Sequence, residues 1–186
     1  MLAGCDAETF ISGWQGAGLW AFLCHLSSVI FHLSTLPPMP IVPGLLGPYE
    51  AVRGFVYLPR LVSKIRLHAA GQLHADFVNN LGKAFDDRCC QYLGIKYDDL
   101  RVWVLRNPAA TQDEILVWAE ANGRKLSTND IEVWNGFMTK RGWRDEANEV
   151  LVRRLKENGL TADAGVDTMF DYIEVDEGRT ARRQAL

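Results

Sequence analysis

The sequence predicts an all-α fold, an irregular orthogonal bundle of roughly six or seven short helices preceded by a poorly attached N-terminal extension. Three observations carry this expectation. Helix-starting and helix-stopping residues recur from Tyr57 onward, and the apolar residues between them fall three and four apart. No stretch alternates apolar and polar residues for long, and no strand–Gly-rich-turn–helix unit is present.

The first helix is expected from about Leu58, with Pro59 in its opening turn and Gly71 as its stop. Leu58, Leu61, Val62, Ile65 and Ala69 form its apolar stripe, and Arg60, Lys64, Arg66 and His68 its polar side. A loop is expected to follow Gly71 and to run on through Asn79–Gly82. Asp86 or Asp87 then reads as the cap of a short helix, Arg88–Leu93, ended by Gly94. Another helix starts at Tyr97 and stops near Asn107–Pro108. Thr111 and Glu114 match a capping box ahead of Ile115–Asn122, with Gly123 after it. Ser127 or Thr128 caps Ile131–Met138, Asp145 caps Glu146–Asn158, and Asp167 caps Thr168–Val175. The basic tail, residues 180–186, is expected to fray.

Of the 186 residues, 48% are hydrophobic and 23% charged, which suits a globular domain and excludes a disordered chain. A formal charge of −3 gives no sign of the basic surface that nucleic acid would require, so no nucleic acid is expected as a partner. The cysteines are Cys5, Cys24, Cys89 and Cys90. Neighbouring residues rarely meet disulfide geometry, and no Cys-x-x-Cys pair or zinc-ligand spacing exists. Free thiols point to a reducing, cytoplasmic setting, and no metal or cofactor is expected.

The extension, residues 1–47, differs in composition. Between Thr9 and Tyr49 there is no Asp, Glu, Lys or Arg. The apolar run from Gly18 to Leu36 is about the minimum for a bilayer span of roughly 20 residues. Its apolar and polar residues nevertheless separate by face, with His25 and His32 on the polar side. An amphipathic surface helix, a true span and a segment that contributes little all remain open. Any membrane contact is expected only through residues 15–36. A secretory leader is not expected, because the charges before the run, Asp6 and Glu8, are acidic. Pro37, Pro38, Pro40 and Pro43 end the segment as an extended linker.

Several blocks carry a resemblance. Pro48–Arg66 comes first, followed by Phe85-Asp-Asp-Arg-Cys-Cys-Gln-Tyr-Leu-Gly94 and Asp113–Trp118. Glu132-Val-Trp-Asn-Gly-Phe-Met138, Arg141–Ala147 and Phe170–Arg179 complete the series. In this order they make residues 48–179 similar to the bacterial domain-of-unknown-function family numbered 5069. The resemblance implies a small helical domain and a bacterial setting. It brings no catalytic residue, substrate or cofactor.

The residues themselves nominate a short list. Arg60 and Lys64 lie one turn apart, and a guanidinium beside an ammonium suits a carboxylate or phosphate. Arg60 also falls in a helix's first turn, where backbone N–H groups favour anions. Cys89, early in a helix and next to Arg88, is a candidate thiolate, and Arg88 itself is a candidate ligand-binding residue. His68, with His74 and Asp76 near it in sequence, is a candidate base. Trp134 and Asn135 are candidates for the wall of a binding cleft, as an indole beside an amide suits recognition. The expected function is a binding or regulatory module for an anionic small molecule or a protein partner. The alternative is a small cofactor-independent enzyme acting on an acidic metabolite, with Arg60 and Lys64 orienting it and Cys89 or His68 as nucleophile or base.

Overall fold

A computed structural model describes residues 41–161 and 165–181. The expectations for Gly18–Leu36, His25 and His32 fall outside these residues, as do Cys5, Cys24 and the end of the tail.

The described chain begins with a short hairpin, β1 (Ala51–Val52) and β2 (Phe55–Val56), antiparallel with Val52 opposite Phe55. Sequence periodicity does not register strands this short. The turn residues Arg53 and Gly54 both have positive φ, 47° and 82°, as a two-residue hairpin turn demands.

Eight helices follow among the described residues. They are α1 (Leu58–Ala69), α2 (Ala75–Val78), α3 (Phe85–Leu93), α4 (Tyr97–Arg106), α5 (Gln112–Asn122), α6 (Thr128–Thr139), α7 (Asn148–Glu157) and α8 (Met169–Asp176). The single turn α2 lies in the stretch expected to be a loop. The all-α expectation holds, with the small hairpin added.

Helix α1 is central. Leu58, Leu61, Val62 and Ile65 are essentially without exposure and pack with Phe55, Leu93, Leu100, Val104, Ile115 and Phe170 in the main core. Phe55 stacks on Trp134 with centroids 5.3 Å apart, which joins the hairpin to α6. The ends of α3 and α5 meet: the Arg124 amide donates to the Leu93 carbonyl at 2.8 Å. A Cβ at Gly123 would fall 2.1 Å from that same oxygen, so only glycine fits there.

Residues before Pro48 take part in the packing. Val42 and Leu45 are buried with Leu73 and Phe77. The Leu46 amide donates to the Ser63 hydroxyl at 3.3 Å, and Gly47 lies against Glu174 and Arg179. Ile41 meets Gly178, so the first and last described stretches run side by side. Among the described residues no helix is long and apolar enough to cross a membrane.

Candidate functional site

Arg60 and Lys64 share one face of α1, as a one-turn spacing requires, but that face points inward. Each is nearly buried, at 3% and 4% exposure, so each needs a counter-charge. Arg60 finds Glu177 at the end of α8: Nη1 donates to Oε2 at 2.9 Å and Nη2 to Oε1. Nη1 also donates to the Leu46 carbonyl at 2.7 Å, while Nε is buried without a partner. Arg179 reaches back to both Glu174 and Glu177, extending the chain of charges.

Lys64 finds Asp86 on α3, with Nζ 2.8 Å from Oδ1 and 2.7 Å from Oδ2. Asp86 has no exposed surface and also accepts the Tyr57 hydroxyl at 2.9 Å and the Gly82 amide at 3.1 Å. It is therefore the counter-ion of Lys64 rather than a helix cap; Ala84 takes the cap position of α3. Burial pulls the Lys64 ammonium below its ordinary range, and Asp86 offsets only part of this. For Arg60 burial acts in the same direction, but the hydrogen bonds and charge of Glu177 outweigh it. Burial, reinforced by the Asp86 charge, raises the Tyr57 phenol well above its ordinary value.

Arg60, Lys64 and Glu177 of these pairs form the floor of a cavity of about 270 Å³. Tyr57, Arg60, Lys64 and Glu177 line its inner end, and Phe77, Phe85, Met169 and Ile173 its apolar walls. Lys83, Arg154, Asp76 and Asp176 stand around its mouth. Two walls are held by strained backbone. Tyr57, the residue before α1, has φ 78° and ψ −30°; Ala84, before α3, has φ 51° and ψ −117°. Non-glycine residues rarely adopt either conformation, which costs about 1–3 kcal/mol each and tends to mark ligand sites.

The remaining nominated residues lie elsewhere. Cys89 is fully buried in the main core, and burial raises its thiol well above the ordinary range. Burial likewise pushes the Cys90 thiol up to about 12. The apolar surroundings of Cys89 work against the low-pKa thiolate expected from its place near a helix start. His68 is half-buried near the end of α1 and does not line the cavity. His74 accepts from the Asp76 amide at 3.4 Å and caps α2. Arg88 is exposed, with its guanidinium 5.5 Å from the Phe137 ring centre.

Trp134 and Asn135 bind the hairpin rather than line the cavity. The Trp134 indole N–H donates to the Val56 carbonyl at 3.0 Å. The Asn135 side chain accepts from the Val56 amide at 3.3 Å and donates to the Gly54 carbonyl at 2.7 Å. A separate, more open groove of about 530 Å³ runs over Trp103 and Trp118, stacked with centroids 5.3 Å apart. None of the buried charged side chains lines it, so the smaller cavity is the candidate site.

Sequence reading finds Arg60 and Lys64 but misses Asp86, Glu177, Tyr57 and Asp176. Glu177 is 117 residues from Arg60, and Asp86 22 residues from Lys64, distances at which no local pattern operates. Locally Arg60 and Lys64 fall on the polar side of the helix, so no local signal announces their burial.

A family model described as "Domain of unknown function (DUF5069)" matches residues 43–179. The chain belongs to the DUF5069 family. The DUF5069 match takes in Leu46 at one end and Arg179 at the other, so it contains the whole charge network and the cavity lining. No curated protein and no solved structure matches the chain.

Proposed function

We propose that this DUF5069 domain is a binding module for a small ligand with an anionic group, and that the cavity between α1, α3 and α8 is its site. The observation that supports this reading most is the distribution of charge. The inner cations are already neutralised, Arg60 by Glu177 and Lys64 by Asp86, and they act as a rigid floor. Lys83 and Arg154 at the mouth form no ion pair among the described residues, and they are the groups left for an incoming carboxylate or phosphate. Backbone strain at Tyr57 and Ala84 on the same walls fits a site whose shape is held against local preference.

Neither Cys89 nor His68 lines the cavity, which favours the binding reading over the enzyme alternative. A reducing cytoplasmic setting suits two buried free thiols, Cys89 and Cys90.

The test is a thermal-shift and amide-NMR screen of the full chain against small carboxylates, phosphates and amino acids. Binding at a hundredfold excess over Kd stabilises by about 2.7 kcal/mol, a readily seen shift. Amide perturbations are expected around Lys83, Ala84 and Arg154, and the double variant Lys83→Glu with Arg154→Glu is expected to abolish them. Perturbations that centre on the Trp103 groove, or that survive the double variant, would move the site elsewhere.

A further inference from the structure

We propose that the ligand of this cavity is a zwitterion, an α-amino acid with an apolar side chain, whose ammonium group sits on Asp176. This rests on the cavity being the binding site, as proposed above. Once Arg60 and Lys64 are closed off by their partners, four charged groups remain around the opening: Lys83, Arg154, Asp76 and Asp176. Two are positive and two negative. A simple anion would meet two carboxylates, and a simple amine two cations; a molecule carrying both charges close together meets each with its opposite.

Asp176 is the better-built of the two acids. Its Oδ1 accepts from the Tyr172 hydroxyl at 3.2 Å and from the Asn158 amide at 3.3 Å, which fixes the carboxylate in place. Its Oδ2 has no partner among the described residues, leaving one lone-pair edge for a donor. Asp76 is exposed, and its Oδ2 lies 3.1 Å from His74 Nδ1, an ion pair only when that imidazole is protonated. Burial, with the nearby charge of Glu177 and then that of Asp76, holds the Asp176 carboxyl above its ordinary value despite the Tyr172 hydrogen bond and the opposing charge of Arg154. An ammonium beside it relieves that cost, and such relief appears as affinity.

Size and lining narrow the class. About 270 Å³ lies just under the 300–1,000 Å³ typical of drug-sized ligands, which suits a molecule of amino-acid size. Phe77, Phe85, Met169 and Ile173 form the walls and favour an aliphatic or aromatic side chain over a polar one.

Titration calorimetry on the full chain separates the two charges without any mutation. Leucine and phenylalanine are compared with their deaminated acids, isocaproate and hydrocinnamate, and with isopentylamine and phenethylamine. One amino acid is expected to bind about tenfold tighter or more than either single-charge relative, the value of one hydrogen bond to a charged group. Asp176→Asn keeps the Tyr172 and Asn158 contacts and should remove that preference by weakening the amino acid, while the acid, relieved of a like charge, binds as well or better. If an acid binds as tightly as its amino acid and Asp176→Asn changes neither, the zwitterion proposal falls while the anion-binding reading stands. Tightest binding by an amine alone overturns both. No binding by any of these probes overturns the zwitterion proposal, and the phosphates of the wider screen then decide the anion reading.

Discussion

Asp86 receives four donors from three separate residues, two of them from the Lys64 ammonium, and has no contact with water. Removing one partner of a buried ion pair leaves the other charge stranded, which costs about 3–5 kcal/mol. Asp86→Ala is therefore expected to lower the unfolding free energy by that amount in urea titrations, with the Tyr57 hydroxyl losing its acceptor as well. Replacing both members, as Lys64→Met with Asp86→Leu, should cost far less, because neither charge is then left unpaired. If the single and double variants are equally destabilised, the pair is not what limits stability. At this scale the sequence spoke only in part. It placed Arg60 and Lys64 together because one helical turn separates them. It concealed that both turn inward, since the carboxylates that permit this arrive from α3 and α8. Asp86 in particular reads locally as a helix cap, and the competing demand of a buried ammonium outweighs that role.

Helix boundaries were legible where a capping residue acts on its own turn. Thr111 and Glu114 form a reciprocal capping box at α5, as their spacing implies, and Ser127 with Asp130 forms a second at α6. Thr168, one residue beyond the expected Asp167, caps α8. At α7 the expected start shifts for a local reason. Asp145 accepts the amides of Gly142 at 3.0 Å and Ala147 at 2.8 Å and pairs with Arg141, which holds a turn ahead of the helix, so the helix starts only at Asn148. The capping boxes make a pH prediction. Hydrogen bonds from Thr111 hold the Glu114 carboxyl below its ordinary value of 4.5, and those from Ser127 hold Asp130 below 3.8. A carboxylate with a depressed folded pKa contributes stability that is present above its unfolded pKa and lost as pH falls through the folded one. Melting temperature should accordingly drop as pH falls below about 4.5, and Glu114→Gln with Asp130→Asn should flatten that acid limb. An unchanged acid limb in the double variant would place the sensitivity in other carboxylates.

Across the whole molecule, the helical class and most element positions follow from local signals, whereas the cavity exists only because distant stretches converge. Tyr57 and Lys64 come from α1 and its cap, Lys83 and Ala84 from the turn before α3, Arg154 from α7 and Asp176 from α8. No segment contains enough of the site to betray it. The same convergence brings residues 41–47 beside residues 174–179: Ile41 against Gly178, Gly47 against Glu174 and Arg179, and the Leu46 carbonyl on Arg60. Residues 41–181 thus begin and end on stretches that pack against each other. A circular permutant of residues 41–181 alone, joining Ala181 to Ile41 by a short Gly/Ser linker and opening between the exposed Pro108 and Ala109, should keep the helical circular dichroism of its unpermuted counterpart and a single cooperative unfolding transition. Cutting that closed chain instead between Leu46 and Gly47 should loosen α8, because the cut releases the carbonyl that holds Arg60 against Glu177.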